Sequence, residues 1–156
     1  MNEMLGNQYF MARNYMEAAN TFQSVLHDEP NNLNAKKKLI ISLTQVGKYS
    51  KSLDLFFDLI NENIDFIVDT DPIKDDCPCA ELVNNLELVT KYGTHSLTTL
   101  QTLGILWLYC DINKSVEYFE KALQVKPNDE KTNAILYILK KKLSDNSQNY
   151  DVKYPS

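Results

Sequence analysis

Three cysteines are the first residues in this chain whose type and spacing could do chemistry. Cys77 and Cys79 flank Pro78, and Cys110 stands apart from them. A zinc site usually uses C-x-x-C spacing with a second such pair, and neither is present here. The structural reading is that Pro78 opens a helix and the two cysteines sit around its first turn. The alternative is a redox or metal function, because a helix N-terminus lowers a thiol pKa. An odd cysteine count does not make a disulfide framework, so a reducing, cytoplasmic setting is expected.

Just before this motif, Asp69, Asp71, Asp75 and Asp76 form an acidic stretch. A calcium loop of the helix–loop–helix type starting at Asp69 would need Gly at position 74 and Glu at position 80. The chain has Lys74 and Ala80 there, so a solvated acidic loop is expected. The two histidines, His27 and His95, fall at a helix end and in a turn beside Gly93. Neither has the i, i+4 partner of a zinc-binding helix, and no nucleophile elbow, phosphate loop or dinucleotide fingerprint occurs. The expectation is no catalytic residue, no metal, no cofactor and no enzymatic activity.

Any such residues must be positioned by a chain of 156 residues with 44% hydrophobic and 24% charged positions. That content is enough to bury a core and argues against disorder over most of the length. A net charge of −5 disfavours a nucleic-acid surface. The runs Lys36–Lys38 and Lys140–Lys142 do not change this, since consecutive helical residues point in different directions. The start lacks a basic region followed by an apolar run, so no signal peptide is expected. No apolar stretch reaches the roughly 20 residues of a membrane helix, so no membrane partner is expected.

The organising signal is an internal repeat. Leu5 and Leu39, Tyr9 and Leu43, Tyr15 and Tyr49, and Phe22 and Phe56 are four pairs separated by one and the same interval. The first stretch reads Leu5-Gly6-x-x-Tyr9, then Tyr15, Ala18, Phe22 and Pro30. A later stretch reads Leu103-Gly104-x-x-Trp107, then Ser115, Phe119, Ala122 and Pro127, one residue shorter in its turn. Between them, Leu39, Leu43, Gly47, Tyr49 and Phe56 follow the pattern more loosely, with Ser52 at the small-residue place and no closing proline. In this pattern and its interval the chain resembles the tetratricopeptide repeat family, whose unit is a helix–turn–helix of about 34 residues. The glycines and small residues then allow close helix crossing, the aromatics fill the space between helices, and the prolines end each unit.

The resemblance implies an all-α helical solenoid of about eight helices. The units span residues 1–32, 33–66 and 97–128, with a capping helix at 129–143 and a disordered tail at 144–156. Asp129 is the expected N-cap of that last helix, and Lys140–Lys142 are expected in its final turn. The interval from Phe56 to Phe119 is not a whole multiple of the repeat, so the spacing breaks between them. Residues 67–96 read equally as an insertion or as a degenerate repeat. Within them Leu82, Val83, Leu86 and Val89 share one side of a helix. Trp107, Tyr109, Tyr118, Phe119 and Tyr137 are expected in the core.

Members of this family bind peptides or partner proteins on the concave face made by the first helix of each unit. By register, the implied groove residues are Asn7 and Met11, with Glu3 and Phe10 beside them. Asn34, Lys37, Ile41, Thr44 and Gln45 follow from the second unit, and Thr98, Gln101, Ile105, Leu108 and Tyr109 from the last. The amides among them suit a peptide main chain. The members that hold a C-terminal carboxylate use a basic clamp, of which only Asn7 is present. Glu3, Lys38, Thr98 and Thr102 replace the rest, and Glu3 repels a carboxylate. The implied function is a protein-interaction scaffold or adaptor, monomeric or weakly self-associating. The alternative is a homo-oligomerising structural protein without a peptide ligand.

Overall fold

The computed structural model describes residues 2–90 and 95–153. They form nine helices and no strand: α1 (Glu3–Met11), α2 (Tyr15–Asp28), α3 (Leu33–Gln45), α4 (Tyr49–Asn63), α5 (Asp65–Val68), α6 (Cys79–Thr90), α7 (Leu97–Leu108), α8 (Ile112–Val125) and α9 (Glu130–Lys153). The chain is therefore all-α across the described residues. Gly93 lies outside them.

The helix starts are written in the sequence. The side chains of Asn2, Asn14, Asn32, Ser96 and Asp111 each accept a hydrogen bond from a first-turn amide of the helix that follows. Such a cap contributes about 0.5–2 kcal/mol relative to alanine. Asp129 does the same for α9, accepting from the Thr132 amide at 3.0 Å and the Thr132 hydroxyl at 2.6 Å. Those bonds, led by the one from the hydroxyl, hold the Asp129 carboxyl below its usual pKa despite partial burial.

The first two interhelical turns share one geometry at matching places of the sequence repeat. Arg13 and Gly47 both take the left-handed conformation, at φ 61° and 81°. The next amide then reaches back to the third-last residue of the helix, Asn14 to Tyr9 and Lys48 to Leu43, both at 2.9 Å. This motif satisfies carbonyls that a helix end otherwise leaves open. The turn after α7 is one residue shorter and closes differently. There the Cys110 and Asp111 amides both donate to the Trp107 carbonyl, and Asp111 is already the cap of α8.

Each helix pair crosses at a small residue. A Cβ added to Gly6 would stand 2.7 Å from the Phe22 ring, and one added to Gly104 would stand 2.6 Å from the Phe119 ring. Ser115 donates to the Gly104 carbonyl at 2.6 Å, and Ser52 donates to the Ile40 carbonyl at 2.8 Å. Ile40 holds the place in the second pair that Gly6 holds in the first, so the serine bond occupies the matching crossing. The aromatic members Phe22, Phe56 and Phe119 are fully buried, and Phe56 stacks on Phe119 with centroids 5.9 Å apart. That stack accompanies the packing of α4 on α7. Helix α9 packs on α8 and α4, α6 on α7, and α5 on α3.

Several expectations change. Helix α5 is an additional turn, seated by the fully buried Ile67. Helix α9 continues to Lys153, where a disordered tail was expected from residue 144. No Gly or Pro lies between Pro127 and Pro155 to stop it. Lys140 and Lys142 are consequently mid-helix, pairing with Glu120 at 3.0 Å and Asp65 at 2.6 Å. Tyr137 is 70% exposed on the outer side of α9, not in the core. Leu5 and Tyr49 are likewise exposed, at 38% and 44%.

Replacing Gly104 by Ala forces the fully packed Phe119 ring to move. The expected cost is about 1–3 kcal/mol, the usual penalty for overpacking a core. Urea denaturation measures it, and the Ala substitution should cost less in a Phe119→Leu background, where the ring edge is gone.

Candidate functional site

The segment between α5 and α6 is folded tightly by its own side chains. The Asp71 carboxylate accepts from the amides of Ile73 and Lys74, at 2.9 and 3.1 Å. The Asp71 amide donates to Asp75 Oδ2 at 2.9 Å, and the Cys77 amide donates to the Pro72 carbonyl at 3.1 Å. Asp76 adopts a left-handed φ of 47°, and its carboxylate lies 3.6 Å from Arg13. Acidic side chains that read as a solvated loop are thus used to close it.

Cys77 and Cys79 are paired as a disulfide, against the expectation of unpaired cysteines. Their Cα atoms are 5.4 Å apart, within the range a disulfide spans. Pro78 between them is buried, and its carbonyl accepts from the Leu82 amide at 3.0 Å in the first turn of α6. Cys79 is the first residue of α6 and is wholly buried. The free cysteine is Cys110.

This loop sits over α1 and α3. Asn7, Asn34, Lys37 and Ile41, with Glu3, Phe10 and Tyr109, are residues assigned to the groove by register that line one cavity of about 190 Å³. Thr70, Asp75 and Cys77 close it from the loop side. Lys37 is only 8% exposed, and its ammonium lies 3.2 Å from Asp75 Oδ2 and 5.3 Å from the Phe66 ring centre. Partial burial pushes the Asp75 carboxyl up, but the Asp71 amide and then Lys37 more than offset this, leaving it below its usual pKa. Lys38 donates to Asn7 Oδ1 at 2.7 Å, above the Phe10 ring. Burial lowers the Lys38 pKa, and nearby Glu3 partly restores it. The Tyr109 hydroxyl donates to the Lys37 carbonyl at 2.6 Å from complete burial, which raises its pKa well above the ordinary value.

The remaining residues assigned to the groove, Met11, Thr44, Gln45, Thr98, Gln101, Ile105 and Leu108, lie outside this cavity. Met11 is 62% exposed and lines none of these hollows. Gln101 is tied to the start of α9, donating to Thr132 at 3.0 Å and Asp129 at 3.4 Å. Ile105 and Leu108 belong to the core, because α7 has α4, α6 and α8 packed on it.

Gln45 reaches a second hollow, a cleft of about 610 Å³ between the end of α3, α6 and the start of α7. Thr44, Asn85, Leu86, Val89 and Thr98 help to line it, and none of its described lining residues is charged. Asn85 and Asp75 were not among the residues assigned to a site. The signal for the cleft was the apolar side of α6, on which Leu82 and Leu86 face it. Helix α6 is itself fixed by Glu87, whose Oε1 accepts from Trp107 at 2.9 Å and Tyr118 at 2.8 Å. Burial and that bond push the Tyr118 phenol far up.

His27 and His95 are both exposed. Among the described residues, no group of three His, Cys, Asp or Glu side chains gathers as metal ligands, and no helix is long and apolar enough to cross a membrane. No protein-family model matches the chain, and no curated protein does.

Thiol titration tests the cysteine pairing. With the chain unfolded in denaturant at the point of labelling, so that the buried Cys79 is accessible, one reactive thiol, Cys110, is expected before reduction and three after it. Three before reduction would contradict the pairing.

Proposed function

We propose that this chain is a tetratricopeptide-like helical repeat that holds a segment of a partner protein and performs no catalysis. The observation that carries this reading is the matched crossing of its helix pairs. Gly6 against Phe22 and Gly104 against Phe119 are the same contact, and the small residues Ala18 and Ser115 follow at corresponding places. A helix pair built this way cannot bury its apolar face alone, so pairs stack and leave a continuous face for a ligand. On this reading residues 67–96 are an insertion, since α7 packs directly on α4 while α6 lies against α7.

The cleft between α3, α6 and α7, uncharged among its described lining residues, supplies what an extended uncharged segment needs. Gln45 and Asn85 can each donate to and accept from a main chain, and Leu86 and Val89 offer apolar contact. Val89 is 75% exposed and gains most from being covered.

The test is affinity capture from the source cell with the whole chain as bait. Gln45→Arg and Thr98→Arg place bulk and charge in the cleft without touching the core. Each is expected to reduce capture of a specific partner at least about tenfold, the equivalent of 1.4 kcal/mol. Undiminished capture by both variants would contradict the assignment of the cleft.

A further inference from the structure

The α1–α3 hollow differs from the neutral cleft in holding buried positive charge. Lys37 is almost fully enclosed, and an enclosed ammonium needs a charged or strongly accepting partner. Its partner is Asp75 of the same chain, at 3.2 Å. Asp75 belongs to the folded segment that closes the hollow from outside, while Asn7 and Asn34 line it from the helices. A carboxylate seated among amides and a lysine is the arrangement an acidic side chain of a partner segment would make.

We propose that residues 69–77 are an internal occupant of this groove, standing where an acidic segment of a partner protein binds, so that such a partner must displace Asp75 from Lys37. The inference rests on the reading above that this face holds partner segments. It adds the charge of the ligand at this end and the device that regulates access to it. A tethered segment acts at about millimolar effective concentration, so the loop outcompetes a dilute ligand. A partner gains entry by carrying more than one acidic residue or by engaging the neutral cleft at the same time.

The probe is a fluorescent synthetic peptide with the sequence of residues 69–77, Cys77 being replaced by serine. Asp71→Ala with Asp75→Asn removes the Asp71 side-chain ties within the loop and the carboxylate charge that pairs with Lys37. Fluorescence polarisation should show this full-length variant binding the peptide at least about tenfold more tightly than the unsubstituted chain, since no tethered competitor opposes it. Adding Lys37→Gln should abolish the gain. Equal binding by the unsubstituted and loop-released chains, or a gain that survives Lys37→Gln, overturns the proposal.

Hydrogen exchange of the unsubstituted chain gives a second answer that needs no variant. Peptide at about 10 mM, above the effective concentration of a tethered segment, should speed exchange of the Ile73 and Lys74 amides. Unchanged exchange there overturns the proposal as well. Neither measurement uses a natural partner. A chain that captures a partner through the neutral cleft yet fails the peptide tests keeps the general reading and loses this one.

Discussion

The close approach of an aromatic ring to a glycine backbone sets the geometry on which the rest of this molecule depends. Where Gly6 meets Phe22 and Gly104 meets Phe119, there is no room for even one added carbon. The two helices of each pair are thereby held at one separation and one crossing. The serine hydroxyls of Ser52 and Ser115 add a bond to a main-chain carbonyl at the same level, which a buried hydroxyl requires in any case. With the pairs fixed, Phe56 and Phe119 can stack and join the second pair to the last. Helix α6 then packs on α7, and α9 on α8 and α4.

The second constraint is electrostatic. Lysines at 37 and 38 project from the enclosed side of α3, where full hydration is lost. The chain meets this need locally, with Asn7 from α1 for Lys38 and Asp75 from the loop for Lys37. An exposed pair of this kind contributes little, about 0–1 kcal/mol, but loss of a partner from an enclosed charge costs more. The acidic loop therefore has a structural task before it has any regulatory one. Its folding on Asp71 and the Cys77–Cys79 link presents Asp75 in one position.

Much of the helical frame was legible in the sequence because it is repeated there. The spacing of Leu5, Tyr9, Tyr15 and Phe22 against Leu39, Leu43, Tyr49 and Phe56 locates two helix pairs, where the structure has α1 to α4. Asp129, read as a cap from its residue type alone, is the cap of α9. What was not legible depends on contacts between distant segments. Register alone placed Ile105 and Leu108 toward a groove, but the packing of α6 on α7 comes from residues outside the repeat. Asp75 looked like one more solvated acid, because its partner lies far back along the chain on α3. The length of α9 was misjudged because polar residues without Gly or Pro permit a helix that an apolar pattern does not announce.

The loop carboxylate seated against Lys37 is the contact that closes the α1–α3 hollow, and zero-length carbodiimide crosslinking reads it directly in the unsubstituted chain. Ammonium and carboxylate 3.2 Å apart should yield an intrachain amide between Lys37 and Asp75, identified by peptide mass spectrometry. Recovery of that crosslink as the dominant product of Lys37 is the predicted result. A Lys37 that stays unlinked, or links to a carboxylate other than Asp75, would contradict the occupied groove.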